Sequence, residues 1–189
     1  LISKILHSIN INLNNWLKLV IYFQVQYKKE KKGVLLMNDR ELKKMEGRWF
    51  LQYSGCPLWK RGNTDTISFN YELIYRGEEL VLKEQVEFRK NGKMKMKRGY
   101  EVPKEGTNIL EWRGVGMNRL FRNRSKVLYN DEGILIMWFE KTMSTPESID
   151  VLTKKKHLSG GESAYIFSLL DKIDGSDKYM NELESVNIL

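Results

Sequence analysis

The sequence predicts an all-β fold: an eight-stranded antiparallel up-and-down β-barrel (calyx), with a short N-terminal helix before it and a C-terminal helix packed on its wall. Three observations carry this. Segments of β-formers with period-two alternation recur from Trp49 onward at intervals of roughly ten residues. Tight-turn dipeptides separate them, which joins neighbours as antiparallel hairpins. One helix-spaced apolar segment follows the last of them.

The elements follow in chain order. Residues 1–36 are expected to be an N-terminal extension, a translated leader preceding a natural start at Met37, because Lys-Lys-Glu-Lys-Lys-Gly can only be written in purine-rich codons of the kind a ribosome-binding site uses. The competing reading of that extension is an amphipathic helix lying on a membrane, with Leu13, Trp16, Leu17, Val20 and Ile21 on one face. It has neither the cleavage site of a signal peptide nor the unbroken apolar length of a membrane span. Residues 37–175 are expected to form the barrel with its C-terminal helix, and 176–189 a polar tail that adds a short helix or stays mobile.

Asn38 followed by Glu41 predicts a capped helix through DRELKKM, stopped by Gly47. Strands are expected over 48–54, 66–75, 79–89, 93–101, 107–113, 124–129, 133–141 and 148–154. In ISFNYELIY, residues Ile67, Phe69, Tyr71, Leu73 and Tyr75 share a face. In ELVLKEQVEFRK, Leu80, Leu82, Val86 and Phe88 face together with Glu84 among them. In KMKMKRGYEV, Lys93, Lys95 and Lys97 oppose Met94, Met96, Arg98 and Tyr100, and the latter face is taken as inward. Arg76-Gly77-Glu78, Asn91-Gly92 and Asp131-Glu132-Gly133 supply the hairpin turns. SGCPLWKRGNTD, the longest gap, reads as a flexible lid. SGGESAYIFSLLDKI reads as the final helix, capped by Ser159 or Ser163, with Tyr165, Ile166, Leu169, Leu170 and Ile173 at helical spacing.

Composition narrows the function classes. The net charge is +8, but six lysines and one glutamate place +5 of it in residues 1–36 and leave +3 for the rest. A polyanion partner is therefore the lesser reading, although KNGKMKMKRGY and MNRLFRNRSK are dense enough in cations to track single-stranded nucleic acid. Cys56 is the only cysteine, which leaves no internal disulfide and fits a reducing, cytoplasmic setting. With His7 and His157 as the only histidines, no metal site, cofactor motif, catalytic triad or paired-carboxylate motif is legible, and no enzyme activity is expected.

A short helix, Gly47-Arg48-Trp49 opening the first strand, eight meander strands and a closing helix together resemble the lipocalins over about Leu42 to Ile173. Tyr129-Asn130-Asp131 stands where that family has its second motif, in altered order. Lys154 takes the place of the family's arginine. Segments such as GYEVPKEGTNILEWRG are similar to bacterial lipocalin-like proteins without disulfides. The resemblance implies a calyx closed at the Trp49 end, with Lys154 over the indole, and a small lipophilic ligand inside. A calycin-type enzyme acting on a lipophilic substrate is the alternative.

The expected cavity residues are Phe69, Tyr71, Leu82, Glu84, Met96, Arg98, Tyr100, Trp112, Met137 and Phe139, with Cys56 and Trp59 on the lid. These side chains are large enough that they could also fill an eight-stranded barrel by themselves. Glu84, Arg98 and Arg113 are charges on or near apolar faces, where they need partners. A Glu84–Arg98 pair across adjacent strands, with Arg98 binding the carboxylate of a fatty-acid-like ligand, is the sharper expectation; a register slip placing both outside is its alternative.

Overall fold

The computed structural model of the protein describes residues 35–131 and 133–188, so the expectations for residues 1–34 lie outside the described residues. Helix α1 (Asp39–Met45) comes first. Its N-cap is Asn38, whose side chain accepts the Glu41 amide at 3.0 Å. The reciprocal half of the capping box is missing, because the Glu41 carboxylate turns to Lys44 at 3.1 Å and to the Asn130 side-chain amide at 3.3 Å. Gly47, at φ 99°, lets the chain leave the helix and enter the barrel at once.

Eight strands then run in order: β1 (Gly47–Ser54), β2 (Thr64–Arg76), β3 (Glu79–Lys90), β4 (Lys93–Pro103), β5 (Ile109–Gly114), β6 (Arg122–Asp131), β7 (Ile134–Phe139) and β8 (Ser148–Thr153). Each pairs antiparallel with the next, and β1 pairs with both β8 and β2, which closes the barrel. The hairpin of Asn91 (φ 51°) and Gly92 (φ 72°) has the two left-handed residues its dipeptide calls for. In such a meander alternate connections lie at one end. The β1–β2, β3–β4, β5–β6 and β7–β8 connections therefore form one rim, and α1 closes the other, with Leu42 and Met45 buried.

Helix α2 (Pro57–Lys60) and helix α3 (Gly160–Leu170) interrupt and follow the strands. Ser159 caps α3 in a full capping box with Glu162. The helix lies on the outer face of β7 and β8, where Ile166 and Leu170 pack with Ile134, Ile136, Ile149 and Val151. That cover explains why ILIMWF does not alternate: both faces of β7 are dry.

Residues 176–188, within the segment expected as a polar tail that adds a short helix or stays mobile, do form a short helix, and they pair with the barrel as well. Helix α4 (Asp177–Met180) buries Tyr179, whose hydroxyl accepts from Trp138 Nε1 at 2.7 Å and donates to Glu147 at 2.8 Å. Strand β9 (Glu184–Ser185) then pairs with the end of β1. Here β1 has already parted from β2, since their ladder ends at Phe50–Ser68. The tail fills the seam: Val186 N–H donates to the Gln52 carbonyl at 2.8 Å and Thr66 N–H to the Asn187 carbonyl at 2.9 Å.

Candidate functional site

The barrel interior is set by register. Trp49 stands opposite Phe69, Phe69 opposite Val86 and Val86 opposite Lys97; Tyr71 stands opposite Glu84 and Glu84 opposite Gly99; Leu82 stands opposite Glu101 and Glu101 opposite Trp112. Directly paired residues project to the same face, so all of these point inward. Met137, and Phe139 two residues on, join them from β7 across from Val127 and Ser125. Of the expected cavity residues, Phe69, Tyr71, Leu82, Glu84 and Met137 are buried on this face, and Trp112 and Phe139 are half-buried on it.

Met96, Arg98 and Tyr100 are not on it. They point outward from β4, with Met96 and Arg98 exposed and Tyr100 half-buried under the Arg76 guanidinium, 4.3 Å from the ring centroid. The expected Glu84–Arg98 pair does not form, because Arg98 is registered with Gln85 and Glu84 with Gly99. A shift of one residue exchanges the faces of a strand. Arg113 likewise turns outward, to Glu111 at 3.2 Å.

The inward face of β4 instead carries Lys97, Gly99 and Glu101. Gly99 is there for space: a Cβ at this position would sit 2.4 Å from the Trp112 indole. The ring thus packs closely on the bare backbone at Gly99, which pairs with Glu84, while Trp112 itself pairs with Glu101. Glu101, only 1% exposed, has Oε2 buried without a hydrogen-bond partner, and the Trp112 Nε1 is equally unpartnered. The indole faces Glu84 closely enough to favour its anionic form, yet makes no aligned hydrogen bond to it. Burial dominates at both carboxyls, raising the pKa of Glu84 and raising that of Glu101 well above the usual carboxylate range, where the Glu84 charge adds to the effect. The Tyr71 hydroxyl, raised by burial and by these carboxyls, donates to Met137 Sδ at 3.8 Å.

A third carboxyl, Asp150, enters from β8. Burial raises its pKa to about 7, although the Ser54 hydroxyl, donating at 2.5 Å, and the Trp59 indole pull the other way. Above it sits the segment expected to be a flexible lid. It is folded as α2, and Trp59 is buried edge-on against Phe88 at 5.4 Å and Phe69 at 6.5 Å, plugging the open end. Lys97 Nζ lies 5.8 Å from the Trp59 ring, its pKa lowered by burial. Cys56 is buried too, and burial, with Asp150 beside it, pushes its thiol up. That is the environment of an inert thiol.

At the closed end, the Lys154 ammonium stands 4.0 Å from the centroid of the Trp49 ring and donates to the Glu46 carbonyl. Trp49 Nε1 donates to the Met45 carbonyl at 2.6 Å, and the Asn130 side chain donates to the Glu41 carbonyl at 2.9 Å. Gly47 completes this end, since a Cβ there would lie 3.1 Å from the lysine Nζ. Among the described residues, no group of three or more His, Cys, Asp or Glu side chains is placed to hold a metal ion.

The sequence does not mark Glu101 and Asp150 as candidates. Glu101 shares the lysine face of KMKMKRGYEV, whose alternating lysines predict a solvent-facing side, and Asp150 is a lone carboxylate within IDVL. The one legible signal was Gly99, since glycine inside a strand often marks a close approach from the facing strand.

No protein-family model and no curated protein gives a significant match to the chain. Solved structures do match in fold. The cockroach allergen Per a 4 superposes with a TM-score of 0.58 at 12% identity, covering 78% of this chain and 88% of the allergen. The siderocalin Ex-FABP, described as functioning through dual ligand specificities, gives 0.55 at 12% identity over 78% and 94%. Lobster apocrustacyanin A1 gives 0.54 at 11% identity over 79% of each chain. The barrel has the lipocalin fold.

Proposed function

We propose that this lipocalin-fold barrel binds one small, mainly apolar molecule whose head both donates and accepts a hydrogen bond, as an alcohol does. The observation that carries the reading is the pair of unpartnered buried atoms on facing inward residues, Glu101 Oε2 and Trp112 Nε1. A buried polar atom left unpaired costs about 1–3 kcal/mol. A hydroxyl placed between these two would donate to the carboxyl and accept from the indole, satisfying both. The surrounding Phe69, Leu82, Val86 and Met137 suit an apolar body.

The electrostatics speak against a carboxylate head. Arg98 points outward, and the inner wall carries Glu84, Glu101 and Asp150 against Lys97. A carboxylate head would itself have to lose its water in a place where burial already disfavours the anionic forms of Glu84 and Glu101. The reading is one of binding rather than catalysis, supported by neighbours in fold that are lipocalins. Cytoplasmic placement is part of the same proposal, supported by the single, buried cysteine.

Native mass spectrometry of the freshly purified chain tests this. The expected spectrum shows a retained lipophilic mass in the wild type that is lost from Glu101→Leu with the fold intact by circular dichroism. A wild-type spectrum without added mass, together with no uptake of added long-chain alcohol, would mean that the barrel is filled by its own side chains.

A further inference from the structure

The rim opposite α1 carries apolar side chains that the fold leaves uncovered. Met117 is 98% exposed, Leu120 86% and Phe121 63% in the β5–β6 connection, and Met143 is fully exposed in the β7–β8 connection. Met94, beside the β3–β4 hairpin, is 62% exposed at the same end. Scattered apolar residues on a surface are ordinary; large ones concentrated at the tips of three connections on one end are not.

Cations flank Met94, Met117, Leu120 and Phe121, while the connection that carries Met143 holds Lys141 with Glu140 and Glu147. Residues 90–98 and 115–126 hold nine Lys and Arg residues and no Asp or Glu. Two of the nine are engaged elsewhere, Lys97 on the inner wall and Lys126 over the Trp138 ring at 4.5 Å. Arg122 and Arg124 have only loose acidic neighbours, Glu111 at 3.7 Å and Glu140 at 3.9 Å. Lys93, Lys95 and Arg119 project from the rim itself.

From this combination we infer that the open rim docks on an anionic lipid bilayer, with Leu120 and Phe121 entering the interface and the rim cations meeting the headgroups. Apolar tips flanked by cations suit the boundary between headgroups and acyl chains, where burial and attraction act together. A nucleic acid would use the same cations, but it gives Met117, Leu120 and Met143 nothing to enter, and a base stack would use only Phe121. Docking in this orientation turns the Trp59 plug toward the lipid. It does not depend on what the barrel holds.

Cosedimentation of the full chain with vesicles tests the inference, comparing phosphatidylcholine alone with phosphatidylcholine containing phosphatidylglycerol, and with a single-stranded oligonucleotide competitor. The expected result is binding to the anionic vesicles only. It falls roughly tenfold or more in Arg119→Glu/Arg122→Glu and by a similar factor in Leu120→Ser/Phe121→Ser. Both pairs are at the surface, and their unfolding midpoints should match the wild type. Three results would overturn it: no binding to either vesicle; vesicle binding undiminished in Leu120→Ser/Phe121→Ser, which would place the contact elsewhere in the chain; or tight oligonucleotide binding insensitive to that pair, which would make the rim a nucleic-acid surface.

Discussion

At the scale of single residues, the interior is defined by acids held away from water. Asp150 is the clearest case, because its folded pKa of about 7 lies above the ordinary value of 3.8. A carboxyl whose pKa rises on folding binds its proton more tightly in the native state than in the unfolded one. Its contribution is therefore fully present below the unfolded pKa and is lost as pH rises through the folded one. Between about pH 4 and pH 7, wild-type stability should fall relative to Asp150→Asn, and above that window the difference should level off. Urea midpoints measured across the range check this. Parallel profiles for the two proteins would mean that the carboxyl does not titrate in that window.

At the scale of elements, the strands were legible and the face of one strand was not. All eight strands lie within a few residues of where alternation and turn chemistry put them, from the Asn91-Gly92 hairpin to the Gly47-Arg48-Trp49 entry. Strand β4 misled because its first half, Lys93 to Met96, extends past the barrel where both faces meet solvent. There the alternation of Met and Lys reports no core, and only Gly99 and Glu101 reveal the inward side. The strand pairing of the tail is not legible for a different reason. Its contribution is mainly backbone hydrogen bonding across the β1–β2 seam, which side-chain polarity does not encode. Helix α3 was legible from spacing, and its cost of removal can be measured. Ile166→Ala takes a fully buried side chain from the cluster on β7 and β8, and should lower unfolding free energy by about 2–5 kcal/mol. A loss under about 0.5 kcal/mol, the size of an ordinary surface substitution, would show that the helix does not pack there in solution.

At the scale of the whole molecule, the barrel divides its labour by end and by face. The α1 end is sealed by Trp49 and Lys154, the outer face of β7 and β8 is taken by α3, and the opposite rim carries cations and apolar tips around the Trp59 plug. The interior keeps an apolar wall with two unpartnered polar atoms, Glu101 Oε2 and Trp112 Nε1. The proposed lipophilic guest rests on the fold, and the proposed choice of its head rests on these two atoms. The most direct test is calorimetric titration of the purified, delipidated protein with a long-chain alcohol, the corresponding amine and the corresponding carboxylate, each with the same alkyl chain. The account predicts that the alcohol binds at least about tenfold more tightly than the carboxylate and more tightly than the amine, whose ammonium cannot accept from the indole, and that Glu101→Leu abolishes the preference. Equal affinities for all three, or tighter binding of the carboxylate, would contradict it.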